Sequence, residues 1–378
     1  MLNPNINIVS SENCYIIDEN GKKYVDFEAG VWSASLGHNN KEINAAMIRQ
    51  MNEISHVGYR YTTKIVDKAA GKVLDLLGFD GGKCVFLSSG SEAVEFGVKI
   101  AKKVIDKPYF LYLNNYYLSA YGISANRSKE DWIPLDLSEY KGNAEDFLAH
   151  IPFDKIAAFV FEPGNASGTA QLPPKELIKA IEDKIKACGG VIVVDEVTTG
   201  IGRTGKWFGY EHYNMSPDIV CLGKGIGGGY PVSVIGMVKD IADLVEKSDF
   251  VYAQSHQDDP LGCAVVYEVI SIIERDKLIQ KAADMGKILE RELKSLMARH
   301  NIIKEVRGVG LMYVIELNQR EDITLDEIHK AIFDAGYIAG LRPQANVLRF
   351  YPPLTIEEGQ IKGLVRALDN VLCVDNIS

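Results

Sequence analysis

Residues 191–205 read VIVVDEVTTGIGRTG, and residues 219–233 read IVCLGKGIGGGYPVS. Each begins as a short apolar strand and ends in a residue that does not belong in a core. Asp195 closes the first run. A carboxylate at the end of a buried strand is expensive unless something stabilises it. Asp195 and Val197 are two apart, so on a strand they would share a face. A carboxylate beside a flat apolar surface suits a heteroaromatic ring with a protonated nitrogen. The alternative is a structural Asp that caps the next turn. Lys224 closes the second run, with five glycines in residues 223–229. Neighbours without side chains leave room for a bulky group at the amine. Desolvation lowers a lysine's pKa and frees the neutral amine as nucleophile and base. A solvated surface lysine beside a glycine turn is the alternative, and it fits so dense a glycine run poorly.

Outward from these runs, strand-like and helix-like stretches alternate. KCVFLSS (83–89), FLYLNN (110–115), AAFVFEP (157–163) and VSVIGMV (232–238) read as strands. Residues 91–105 and 173–190 read as amphipathic helices, the second with Pro near its start and Gly at its end. This predicts an α/β domain whose mostly parallel sheet is flanked by helices and binds ligands at the carboxyl ends of its strands. NCYIID (13–18) and KYVDF (23–27) read as strands joined by a turn, and residues 41–54 as a helix. Beyond about residue 260 the texture changes to a long helical stretch over 261–299. A strand at 307–317, a helix near 324–335 and the segment NVLRFYPPL (346–354) follow. The expected division is an N-terminal segment, 1–40, that joins a smaller α+β domain at 266–378, with the large domain at 41–265.

Ser88-Ser89-Gly90-Ser91-Glu92-Ala93 lies between a strand and a helix. Gly90 permits close backbone approach, Ser89 and Ser91 offer hydroxyls, and the helix start offers free N–H groups, together a phosphate cradle. Equally, Ser91 could merely cap its helix. Gly200–Gly205 and Gly223–Gly228 both fit GxGxxG. Neither opens a helix pattern nor is followed by an acidic residue at the right distance, so dinucleotide binding is disfavoured. No GxxxxGK[ST] is present.

Composition narrows the classes. In 378 residues the net charge is −10, with 47% hydrophobic and 24% charged residues. This excludes a disordered, collagen-like or disulfide-stapled chain. It makes nucleic acid and anionic membranes poor partners. The six cysteines are widely spaced, without metal-ligand spacing, as in a reducing compartment. The first residues lack a basic region followed by an apolar run, and no apolar stretch reaches a membrane-spanning length. A cytoplasmic protein without metal is expected.

A phosphate cradle, a ring-nitrogen carboxylate and an imine-forming lysine are the three fixtures that pyridoxal phosphate needs. Their order and spacing resemble class III aminotransferases, the ornithine, acetylornithine and 4-aminobutyrate group of fold type I. GVWSASLGH (30–38), SSGSEA, DEVTTGIGRTG (195–205), LGKGIGGGYPVS (222–233), DDPLGCA (258–264), RGVGLM (307–312) and LRFYPPL (348–354) carry the resemblance over nearly the whole chain. It implies an aminotransferase working in ping-pong half-reactions between an amino acid or amine and a 2-oxo acid. Lys224 would hold the cofactor as an aldimine and shuttle protons, and Asp195 would pair with the ring nitrogen. Val197 would pack on one ring face and Tyr116, or else Tyr117, on the other. Gly90 and Ser91 would bind the phosphate, and Ser255 would reach the phosphate of a neighbouring subunit, which implies a homodimer with shared sites. Arg349 would bind the substrate carboxylate, with Trp32 also at the substrate; an Arg that buttresses the small domain is the alternative. The family's pattern is broken at Thr198, Ser167, Tyr117-Leu118 and Asp258-Asp259. In ornithine-type enzymes a glutamate stands at the Ser167 position and masks the arginine. A racemase, epimerase or aminomutase on the same fold is the second expectation, and a nucleotide-binding protein a remote third.

Overall fold

The computed structural model describes residues 6–166, 168–320 and 323–373. Three short strands come first: β1 (Ile8–Glu12), β2 (Tyr15–Asp18) and β3 (Lys23–Asp26). The apolar runs then become one seven-stranded sheet of β4 (Lys83–Leu87), β5 (Tyr109–Leu113), β6 (Trp132–Leu135), β7 (Ile156–Phe161), β8 (Val191–Asp195), β9 (Ile219–Leu222) and β10 (Ser233–Met237). Their spatial order is β4-β10-β9-β8-β7-β5-β6. Only β10 runs antiparallel to its neighbours. Every residue of β7 to β10 is buried, because helices cover both faces of the sheet. That is why these strands read as continuous apolar runs rather than alternating ones. The strand β6 escapes a sequence reading because it is short and contains Pro134. Proline is tolerated there because β6 is the sheet edge.

The helix Gly90–Val104 buries Ala93 to Val98 against the sheet. At Gly97 the approach is so close that a Cβ would lie 3.1 Å from the Cys221 sulfur. The stretch at 261–299 is not one helix but two, Pro260–Arg275 and Leu278–Arg299. Asp276 and Lys277 return their N–H groups to Ile272 and Glu274, and Lys277 takes φ +53°. Hydrophobic spacing alone does not register such a break.

The C-terminal strands are β11 (Ile303–Val309), β12 (Met312–Leu317), β13 (Tyr337–Ile338), β14 (Gly340–Arg342) and β15 (Val347–Phe350). Four of them form an antiparallel sheet in the order β11-β12-β15-β14. The fifth, β13, pairs in parallel with β3, Val25 opposite Tyr337, so the chain's beginning and end share the sheet β1-β2-β3-β13. Tyr351 donates to the Phe27 carbonyl and Leu354 to that of Ser35. The Ser35 hydroxyl donates to the Gly225 carbonyl at 2.7 Å, which fixes the N-terminal segment over the turn that carries Lys224. Among the described residues no helix is long and apolar enough to cross a membrane.

Candidate active site

The carboxyl ends of β4, β8 and β9 converge on one point. A Cβ on Gly90 would lie 2.5 Å from Val197 Cγ1, and one on Gly223 would lie 3.1 Å from both the Gly90 Cα and that methyl. Residues 133 positions apart along the chain thus touch without side chains between them. Strand β8 ends at Asp195, and residues 196–200 turn away, so Asp195 and Val197 are not successive same-face strand residues. The turn is closed by Asp195 itself, whose Oδ1 accepts the Val197 N–H at 2.9 Å. One Asp195 oxygen thus holds the turn and places Val197, as the capping reading has it.

Lys224 follows β9 with φ +44°, a left-handed conformation that turns its side chain back across the site. Its Nζ donates to Thr198 Oγ1 at 2.8 Å and lies 5.0 Å from the Trp32 ring centroid. Burial disfavours the ammonium and lowers the Lys224 pKa, against the opposing pull of Asp195 and Glu162. Burial likewise pushes Asp195 up, to about 7, against the Val197 N–H and the charge of Lys224. Glu162, at the end of β7, is raised well above the carboxylate range, first by burial and then by Asp195. Its Oε2 is buried and has no hydrogen-bond partner among the described residues. Glu196 is structural, accepting from the Thr199 hydroxyl and the N–H groups of Gly209 and Tyr210.

At the start of the helix Gly90–Val104 the N-cap is Ser89, which accepts from Glu92 N–H at 3.2 Å. Ser91 is therefore not the cap; its hydroxyl oxygen accepts the Ala120 N–H at 2.9 Å. Gly90 and Ser91 stand in the helix's first turn, where N–H groups lack intrahelical partners. Tyr116 is buried and spends its hydroxyl on the Gln171 carbonyl at 3.0 Å, while Tyr117 is exposed. Ser255 is exposed, and among the described residues its hydroxyl makes no hydrogen bond; within one chain it does not join the cradle.

Arg349, on β15, stacks its guanidinium 4.8 Å from the Trp32 ring centroid, on a ring that also faces Lys224. Glu28 Oε2 lies 3.8 Å from Arg349, and Glu28 Oε1 accepts the Trp32 indole N–H at 3.3 Å. Thr198 and Glu28 are site residues that the sequence reading missed as contacts. Thr198 registers there only as a departure from a family pattern, and Glu28 has no local signature. Ser167 lies outside the described residues.

The Gly200–Gly205 run opens no nucleotide-binding helix; only a short 3₁₀ turn at Gly209–Tyr213 follows. Its glycines serve packing, since Cβ atoms at Gly202 and Gly205 would lie 2.9 Å from Leu354 and 3.2 Å from Ala283. A separate cavity of about 590 Å³, lined by Gln171, Glu290, Arg307 and Tyr313 among others, includes none of the residues named for the chemistry. The residues present fit pyridoxal phosphate. A buried carboxylate at Asp195, a buried Glu162 oxygen without a hydrogen-bond partner among the described residues, a desolvated amine and a glycine-lined approach to a helix start all call for such a group.

The sequence model for class III aminotransferases matches residues 2–117 and 124–372. The unmatched stretch begins directly after Tyr117. An acetylornithine aminotransferase of Methanocaldococcus jannaschii is 31% identical, over 96% of this chain and 92% of that protein. A [LysW]-aminoadipate semialdehyde/glutamate semialdehyde transaminase of Sulfurisphaera tokodaii is 30% identical, over 94% and 92%. Among solved structures, the acetylornithine aminotransferase of Elizabethkingia anophelis superposes with TM-score 0.85 at 27% identity, covering 98% of this chain and 94% of that one. A pyridoxal-phosphate-bound amine transaminase from an uncultivated Pseudomonas species shares the fold, with TM-score 0.88 at 24% identity over 98% and 95%. Matched over nearly its whole length, the chain belongs to the class III aminotransferases, fold type I enzymes that move amino groups with pyridoxal phosphate.

Proposed function

We propose that the amino donor is a small molecule bearing a carboxylate, held by Arg349 while its amine faces Lys224. The observation that supports this most directly is that one ring, Trp32, has both the Arg349 guanidinium, 4.8 Å from its centroid, and the Lys224 amine, 5.0 Å from it, packed over it. The guanidinium binds an anion and the amine handles protons. A planar guanidinium suits two-point binding of a carboxylate, and Glu28 Oε2, 3.8 Å away, helps to place it. The related proteins named for acetylornithine favour a donor that also carries an acylated far end.

In this reading Lys224 anchors the cofactor and then serves as base. Pyridoxal phosphate, when bound, acts as an electron sink that makes the hydrogen on the amine-bearing carbon acidic. Lys224 Nζ, disposed by burial toward its neutral form, would take that proton from the amine-bearing carbon and give it to the cofactor carbon that receives the amino group. Thr198 Oγ1 holds the amine in place between these events. Asp195 pairs with the ring nitrogen, Val197 supports one ring face and Tyr116 the other. Gly90 and Ser91 hold the phosphate, and Ser255 reaches the phosphate of a second copy. A cytoplasmic homodimer follows, in keeping with six cysteines that are all free. Residues 1–40 with 266–378 act as the substrate-side domain against 41–265, a division supported by the pairing of β3 with β13.

Arg349→Ala tests the substrate assignment. With carboxylate-bearing donors kcat/KM is expected to fall on the order of 10²-fold, the loss of a charge-assisted pair. Donors that lack a carboxylate should change little. Equal activity toward both classes in the variant and the parent would overturn the assignment.

A further inference from the structure

Beside Ser255, in the same loop and across from it, three side chains of metal-ligand type meet. We propose that His56, His256 and Asp259 form a binding site for a divalent transition ion of the zinc class. His56 follows the helix Lys41–Glu53, and the other two lie in the loop that leads into Pro260–Arg275. His56 Nδ1 is 2.8 Å from Asp259 Oδ1, and His256 Nδ1 is 3.8 Å from the same oxygen. The two imidazole centroids are 4.6 Å apart, and one ligand atom from each residue falls within 4.8 Å of the others. Zinc bound tetrahedrally at about 2.0–2.1 Å keeps its ligand atoms about 3.3 Å apart. The observed separations straddle that value, and both histidines are exposed enough to turn the remaining distance.

A second feature points the same way. Asp259 occupies the N-cap of a sixteen-residue helix, where an aspartate normally accepts the N–H of the first turn. It makes no such bond, and its largely covered carboxylate is turned to the two imidazoles. Among the described residues no lysine or arginine pairs with it. The other cluster of this kind, His300 with Asp369 and Cys373, differs in that respect, because Arg299 already takes Asp369. Two imidazole nitrogens and one carboxylate suit zinc and its neighbours better than calcium or magnesium, which seek six or more oxygens. Three protein ligands leave a fourth position open to water or an incoming group. The neighbouring Asp258 already exchanges hydrogen bonds with Phe86 on β4. An ion at Asp259 would thus fasten the loop that carries Ser255 to a second segment, at His56.

The test is calorimetric titration of zinc into chelator-treated holoenzyme carrying Cys188→Ser and Cys373→Ser, which removes the exposed thiols as competitors. One ion per chain is expected. His256→Ala and, separately, His56→Ala should each weaken binding by at least about tenfold. Cobalt(II) loaded in place of zinc should show visible ligand-field bands that the His256→Ala chain lacks. His256 is exposed, so its variant should keep the parent's far-ultraviolet circular dichroism and metal-free unfolding temperature. No stoichiometric uptake by the parent, or equal affinity in the folded His256→Ala chain, would overturn the proposal. The result does not depend on which amino donor the enzyme uses.

Discussion

Asp195 carries the conflict between folding and chemistry at the scale of a single residue. Burial raises its folded-state pKa to about 7, above its ordinary value of 3.8. Between those values the folded chain binds more protons than the unfolded one. The stability linked to Asp195 is therefore fully present below about pH 4 and is lost as pH rises through 7. Glu196, pushed up to about 8 by burial, acts with the same sign. Lys224 is displaced the other way, so its contribution is lost as pH falls from the alkaline side. Cofactor-free protein should accordingly lose urea stability between pH 5 and pH 7.5. Asp195→Asn should lose less and should exceed the parent at pH 7.5. Parallel urea titrations at the two pH values check this, and identical slopes would show that Asp195 is not the group responsible. The sequence marks Asp195 and Lys224 because each is chemically odd for its neighbourhood, and Gly90 because it stands between a strand and a helix, whereas Arg349 is marked only by the family resemblance. It does not mark Thr198 as the partner of the Lys224 amine, because that contact depends on a positive φ at Lys224 that no residue type announces.

At the scale of elements, the segment that aims Trp32 is a turn of left-handed backbone. Ala29, Gly30, Val31 and Trp32 have φ of +46°, +58°, +56° and +68°. Only Gly30 adopts this readily, and each L-residue costs about 1–2 kcal/mol. Asp26 offsets the cost, accepting from Glu28 N–H at 2.7 Å and Gly30 N–H at 2.8 Å while also bonding His38 Nε2. The placement of Trp32 against both Arg349 and Lys224 is what the strain maintains. Val31 is 61% exposed, so Val31→Gly gives up little burial. After the added flexibility of the unfolded chain is subtracted, it should stabilise the protein by about 1 kcal/mol. Chemical denaturation reads this directly, and a loss of similar size would place the strain elsewhere. Elements of this kind are invisible in the sequence because they follow neither helical nor strand periodicity. The sheet was legible for the opposite reason: its central strands are buried on both faces and stand out as unbroken apolar runs.

At the scale of the molecule, one buried arginine joins the sheet that carries Arg349 to the loop that follows Asp195. The Arg203 guanidinium donates to the carbonyls of Leu311, at 3.0 Å, and Pro352, and Leu311 N–H returns a bond to the Arg203 carbonyl. The backbones meet so closely that a Cβ on Gly310 would lie 2.2 Å from the Thr204 carbonyl carbon. Pro352 stands three residues beyond Arg349, so this junction sets how far Arg349 sits from Lys224. In the sequence Arg203 looks like the variable position of a glycine-rich nucleotide motif, and only the packed structure assigns it to docking. Arg203→Met keeps much of the volume but leaves two buried carbonyls without a donor, at about 1–3 kcal/mol each. The expected loss is roughly 2–5 kcal/mol in chemical denaturation, on the same basis. Because a displacement of about 1 Å between reacting groups costs about 10²-fold in rate, kcat/KM for a carboxylate donor should fall as well, even though Arg203 touches no reacting atom. Arg203→Lys should rescue neither property, since its shorter stem does not carry an amine to the place where the single Arg203 Nη1 donates to both carbonyls. If that lysine variant kept both the parent's stability and its kcat/KM, the junction would be a matter of charge alone, and the placement of Arg349 would have to come from the packing of Gly310 on Thr204.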